Sequence, residues 1–152
     1  MPIWLIFALG TVCCWGAYGT AIHKSNVLLG HGMKTVLLVG VAYFFLAVLI
    51  PGIYIMSKQT IDWSFPTKGM MFGLLAGSLG ALGAICVTFA MRPESGGNPL
   101  FVMPIIFGCA PLVNVIVSSI AHPPKDSPSL FFFLGVLVLA SGAGMVLYFQ
   151  PR

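Results

Sequence analysis

Few side chains in this sequence have any capacity for chemistry, and most of them lie within or beside long apolar runs. Asn114 is the most deeply placed strongly polar group. A polar side chain at membrane depth is costly and is a functional candidate by default. Two readings stay open for it: a hydrogen bond to a neighbouring helix, worth typically about 0.6 to 2 kcal/mol, or a contact to a passenger molecule. Trp15 and Tyr18 stand three residues apart, so a helix places them near one another on one face. At about 1.5 Å per residue, Trp15 lies roughly 18 Å from the start of its helix, deeper than an interfacial aromatic belt. With Asn114 these two are the candidate substrate-binding residues; buried packing is the competing reading of the aromatics. Pro104, Gly108 and Pro111 form a candidate hinge, because a proline within a helix removes a backbone donor and frees a carbonyl that can line a polar path.

Several kinds of chemistry have no residues to support them. No Ser-His-acid set, zinc-ligand spacing or phosphate-cradling glycine loop occurs, so the sequence predicts neither an enzyme, a metal site nor a bound cofactor. Cys13, Cys14, Cys86 and Cys109 all fall in apolar segments without a C-x-x-C pair and read as small buried packing thiols. The net charge of +4 arises from seven Lys and Arg against three acids, placed in connections and at segment ends. No basic block with interleaved aromatics is present, which argues against nucleic acid as a partner.

The elements that must carry these residues follow from composition. Hydrophobic residues make up 59% of the chain and charged residues 7%, against roughly 25% charged in a soluble domain. The expected partner surface is therefore a lipid bilayer. Apolar runs here reach the 18 or so residues that a hydrocarbon core about 30 Å thick requires of a helix, and they lack the alternation of barrel strands. The chain is expected to be all-α and integral to the membrane, one transmembrane domain over residues 1–152. Its five spans are expected at about 3–22, 35–56, 69–91, 100–120 and 130–149. The first run has no basic stretch before it and no small-x-small site after it, so it reads as a retained span. His23 and Lys24 are expected to end that span, and Pro66 to open the third helix. RPESGGNP marks a break before the fourth span, whose two prolines predict a kink or local unwinding.

In the third span Gly73, Gly77, Gly80 and Ala84 share one helix face, and Ala140 and Gly144 form a similar pair in the fifth. Both sets are candidate helix-packing surfaces.

The segment Cys14-Trp15-Gly16-Ala17-Tyr18-Gly19 resembles the W-G signature that opens the repeat of the EamA-like drug/metabolite transporter superfamily. Gly96 to Asn114, GGNPLFVMPIIFGCAPLVN, is similar to the fourth span of its short, single-repeat members. The resemblance covers nearly the whole chain as one five-span repeat. It implies a five-helix bundle equivalent to half of a ten-helix transporter, acting as a homodimer in the bacterial inner membrane and carrying a small metabolite by alternating access. One departure matters. Small multidrug-resistance relatives place a Glu within the first span, whereas Asp62, Glu94 and Asp126 all lie in connections here, which disfavours proton-coupled cation export. An alternative from another class is a non-transporting small subunit packed onto a larger membrane complex through its glycine faces.

With five spans, Lys58, Lys68 and Lys125 share one side, and Lys24, Lys34, Arg92 and Arg152 the other. The second side also gathers His23 and His31. That face reads either as solvated and headgroup-binding or as an attractor of an anionic metabolite. Counting the terminal amine the two sides balance, so the bias that orients most membrane proteins is absent. Chance even placement explains this, and so does insertion of copies both ways with antiparallel pairing. Under dual insertion, reporters fused to the carboxyl terminus give signals from both faces of the membrane; a signal from one face alone ends that explanation.

Overall fold

Long apolar segments without water must close their backbone hydrogen bonds internally, and helices do so within a single segment. The computed structural model describes residues 2–58, 61–121 and 128–150. Lys125, Asp126 and Arg152 lie outside the described residues. The described chain is all-helical, with five helices long and apolar enough to cross a membrane: α1 (Ile3–Leu29), α2 (Gly32–Ser57), α3 (Thr67–Ala90), α4 (Pro99–Ala121) and α5 (Leu130–Tyr148).

Local chemistry explains the ends. Gly30 adopts the left-handed conformation, φ +67°, and its N–H returns to the Asn26 carbonyl at 3.0 Å, which stops α1. His31 then caps α2, its Nδ1 accepting from the Met33 N–H at 3.2 Å. Pro66 is the cap of α3, and the helix runs from Thr67. Asn98 Oδ1 accepts from the Leu100 N–H at 2.9 Å, with Pro99 as the first helical residue, where its missing N–H costs nothing. Ser129 Oγ accepts from the Phe132 N–H at 3.3 Å to open α5. In the connection before α3, hydrogen bonds from the Ser64 side chain and backbone hold the exposed Asp62 carboxyl below its usual pKa.

Helix α1 does not end at His23 and Lys24. Its 27 residues span about 40 Å at 1.5 Å per residue, so its polar last turns extend past a hydrocarbon core about 30 Å thick. Those turns have a structural task at the end of α3, whose final carbonyls have no helical donors. Asn26 Nδ2 donates to the Thr88 carbonyl at 2.9 Å and the Met91 carbonyl at 3.3 Å. His23 Nδ1 also meets the Met91 carbonyl at 3.3 Å, and because a carbonyl only accepts, that nitrogen carries the hydrogen. Ser25 and Thr35 pair through their hydroxyls at 3.0 Å.

In α2 a π-helical segment, Phe44–Leu49, immediately precedes Pro51. Pro51 has no N–H for the Ala47 carbonyl and its ring would crowd that turn; a wider turn relieves both. By contrast, α4 remains a continuous helix through Pro104 and Pro111, so the local unwinding expected there does not occur.

Packing groups the chain into two units. One comprises the first part of α1, through Gly16, with the chain from Gly97 onward; the other is Ala17–Gly96. In the first, α4 packs on α5 at a close approach: a Cβ on Gly108 would lie 2.6 Å from the Ala143 Cβ and 3.3 Å from the Leu139 carbonyl oxygen. Gly108, a candidate hinge residue, thus stands at a helix contact. Gly144 has open space around it, Ala140 is half-buried and Ala143 is buried. In the second unit α2 packs on α3. Ala84 is buried, whereas Gly73, Gly77 and Gly80 have nothing within 4 Å of a would-be Cβ. The four cysteines are exposed and free rather than buried as packing thiols.

The contact at Gly108 makes a direct prediction. Gly108→Val forces α4 from α5 and costs about 1–3 kcal/mol, the usual scale of overpacking, whereas Gly135→Val, at an exposed position of α5 with open space for a side chain, stays within about 0.5 kcal/mol, as surface changes do. Unfolding in mixed micelles compares the two; equal stabilities would contradict the close approach.

Candidate functional site

On α1, Thr11 and Trp15 are four residues apart; on α4, Phe107, Pro111 and Asn114 follow at intervals of four and three. Each set therefore occupies one helix stripe. Within the first packed unit the two stripes line one groove of about 590 Å³, completed by Val12, Gly16 and Ala110. Trp15 stacks on Phe107 with ring centroids 6.2 Å apart and planes at 29°. Asn114 is exposed, and its Oδ1 accepts from the Ser118 hydroxyl at 3.5 Å, one turn along the same helix. The Thr11 hydroxyl donates to the Phe7 carbonyl at 3.0 Å, which leaves its oxygen able to accept. Pro111 adds an acceptor indirectly, since it lacks the N–H that would bond to the Phe107 carbonyl four residues before it.

The lining thus combines two aromatic faces, an amide, a hydroxyl and a carbonyl deprived of its helical donor, without one ionisable group. Such a groove can stack a flat or apolar molecule and offer it a few hydrogen bonds. Among the described residues that line it there is no carboxylate, imidazole, amine or thiol. Among the described residues, no three of His, Cys, Asp and Glu gather where they could hold a metal ion.

Of the residues singled out in the sequence, Trp15 and Asn114 come together here, and Pro111 lies between Phe107 and Asn114 on the groove wall. Pro104 is exposed and does not line it. Tyr18 belongs to the second packed unit, half-buried beside Tyr43, with its hydroxyl lacking a hydrogen-bond partner. Sequence reasoning missed Thr11 and Phe107. Helical spacing from Trp15 and from Asn114 points to both, but only the fold pairs the two stripes.

The chain matches no protein-family model, no curated protein and no solved structure with which it was compared. Its five long apolar helices are consistent with a multi-pass integral membrane protein.

Because the bond made by the Asn114 side chain is local to α4, Asn114→Ala is expected to lower stability by no more than about 0.6 kcal/mol, the mean for an intramembrane hydrogen bond. A loss above about 2 kcal/mol, measured by unfolding in detergent, would assign the residue to structure instead of ligand contact.

Proposed function

We propose that this protein is a carrier of a small metabolite, working by alternating access as a homodimer of half-units in a cell membrane. The observation that carries the reading is the uncharged groove, in which Trp15, Phe107, Pro111 and Asn114 face a volume suited to a small organic molecule. Ligand sites are typically of this kind: concave, mostly apolar, with a few polar groups that set orientation. The resemblance of the Trp15-Gly16 segment and of Gly96 to Asn114 to EamA-like half-repeats points the same way, and implies the bacterial inner membrane as the setting. An odd number of spans adds to this, because two such units inserted in opposite senses form an inverted pair, a common way to build a central transport site.

Homodimerisation has its own support. Gly73, Gly77 and Gly80 lie on one stripe of α3, and among the described residues nothing comes within 4 Å of a Cβ placed on any of them. In lipid, helices associate through small residues that let backbones approach, so an unoccupied stripe of this type suits a second helix. The same stripe favours one rival reading, a non-transporting subunit held in a larger membrane complex.

Purification in mild detergent separates the two. A carrier runs as a self-dimer, and Gly77→Leu shifts it towards monomer while leaving the helical content intact. In proteoliposomes the wild type moves at least one member of a panel of labelled neutral and aromatic metabolites, and Asn114→Ala and Trp15→Ala each reduce that flux at least tenfold. A stable stoichiometric complex with other polypeptides, and no flux for any compound, establishes the subunit reading.

A further inference from the structure

Within the second packed unit, a separate pocket of about 170 Å³ is lined by Asn26, Gly30, His31, Gly32, Arg92 and Glu94, among others. It lies where the polar end of α1, the start of α2 and the segment after α3 meet. Asn26 is only 1% exposed. Its Nδ2 donates to two carbonyls, those of Thr88 and Met91, and this fixes the amide's orientation, since the reversed amide would set oxygen against two acceptors. Among the described residues its Oδ1 is then left buried without a partner, and so is Arg92 Nε. An unmet acceptor and an unmet donor thus belong to two residues that line one small space, and leaving both unpaired is costly.

The surrounding residues hold this arrangement. The Arg92 stem crosses Gly32 so closely that a Cβ there would lie 3.1 Å from Arg92 Cδ. The guanidinium rests on the Phe89 ring, 4.1 Å from its centroid. His31 Nδ1 is occupied by the Met33 N–H, so in the neutral ring the hydrogen sits on Nε2 and is available to donate. Gly32 opens a helix of 26 residues, which adds a free amide and the positive end of a dipole.

Glu94 lines the same pocket and disfavours an anion without a hydrogen, so a fitting ligand must supply acceptor oxygens to Arg92, His31 and the start of α2 and a hydrogen to an acceptor, the Glu94 carboxylate or Asn26 Oδ1. A single water takes only about 30 Å³ of liquid volume and carries no charge for Arg92. We propose that this pocket binds an anionic phosphate group together with a hydroxyl hydrogen, which is the phosphate's own in a singly protonated monoester and the glycerol's in a phosphoglycerol headgroup. The site is independent of the transport proposal. The same chemistry is available from a soluble phosphate or from an anionic lipid.

The test uses the full chain in a neutral detergent and reads the shift of the thermal midpoint. Inorganic phosphate is compared with sulfate, an anion of similar shape without the hydrogen, at matched ionic strength. Phosphatidylglycerol is compared with phosphatidylcholine in mixed micelles. Stabilisation by phosphate at concentrations at least tenfold below those at which sulfate acts assigns a soluble ligand. Stabilisation by phosphatidylglycerol and not phosphatidylcholine assigns a lipid; either supports the site. Arg92→Met, which keeps the stem over Gly32 and removes the donors, is expected to abolish the shift. Equal effects of phosphate and sulfate without a lipid preference, the same shifts in Arg92→Met, or no shift from any probe overturns the proposal. The wild-type comparisons decide the matter even if Arg92→Met fails to fold.

Discussion

A backbone carbonyl or amide in hydrocarbon has only the protein to bond to, and each helix leaves four of one kind unpaired at either end. Much of the polar sequence in this chain is spent at those ends. His31, Asn98 and Ser129 accept from the first amides of their helices. At the opposite poles, Lys34 Nζ donates to the Leu29 carbonyl at 3.3 Å, while Asn26 and His23 bond to the last carbonyls of α3. Even the prolines obey the constraint in graded fashion. Pro99 sits where no donor is missed, Pro51 follows a widened turn, and Pro104 and Pro111 stand inside α4, where the carbonyls they deprive are available to something else.

The apolar runs made the five long helices legible, because run length and lack of alternation leave helices as the ready solution in lipid. Their ends were less legible. His23 and Lys24 look like a stop because polar residues usually mark the edge of hydrocarbon. Nothing local reveals that Asn26, three residues further on, has carbonyls to serve on a helix more than sixty positions away. The small residues give a similar lesson. Spacing singled out Gly73, Gly77 and Gly80, yet the close helix contact within the chain is at Gly108, against Ala143 and the Leu139 carbonyl. A stripe of glycines states that a backbone can come near; it does not state which one does.

The candidate groove was half readable for the same reason. Trp15 and Asn114 are conspicuous as residue types, whereas Phe107 is one of 12 phenylalanines in the chain and is distinguished only by what it faces. Helical spacing groups Tyr18 with Trp15, but its packing environment is that of Tyr43, in the other unit. Stripes on single helices follow from the sequence; the pairing of stripes is a tertiary fact.

The two cavities differ in a way that the cost of charge explains. A charged side chain at the centre of a spanning helix is disfavoured by about 2.5–3.5 kcal/mol even on insertion scales. The groove, set among residues of the long apolar runs, is accordingly built from aromatic faces, one amide and a carbonyl relieved by proline. A ligand of such a groove would be discriminated by shape and by few hydrogen bonds, with its charge mostly balanced within itself. The pocket beside Arg92 lies among polar helix ends, where a guanidinium is tolerated. Its arginine stem is packed on Gly32 and its ring-facing charge on Phe89, so little of the guanidinium's freedom remains to be lost when an anion arrives. An arginine lining the same pocket as a buried, unmet amide and a carboxylate calls, on the proposal made for it, for charge and for a hydrogen together, and neither demand can be met by the apolar chemistry that fills the rest of the chain.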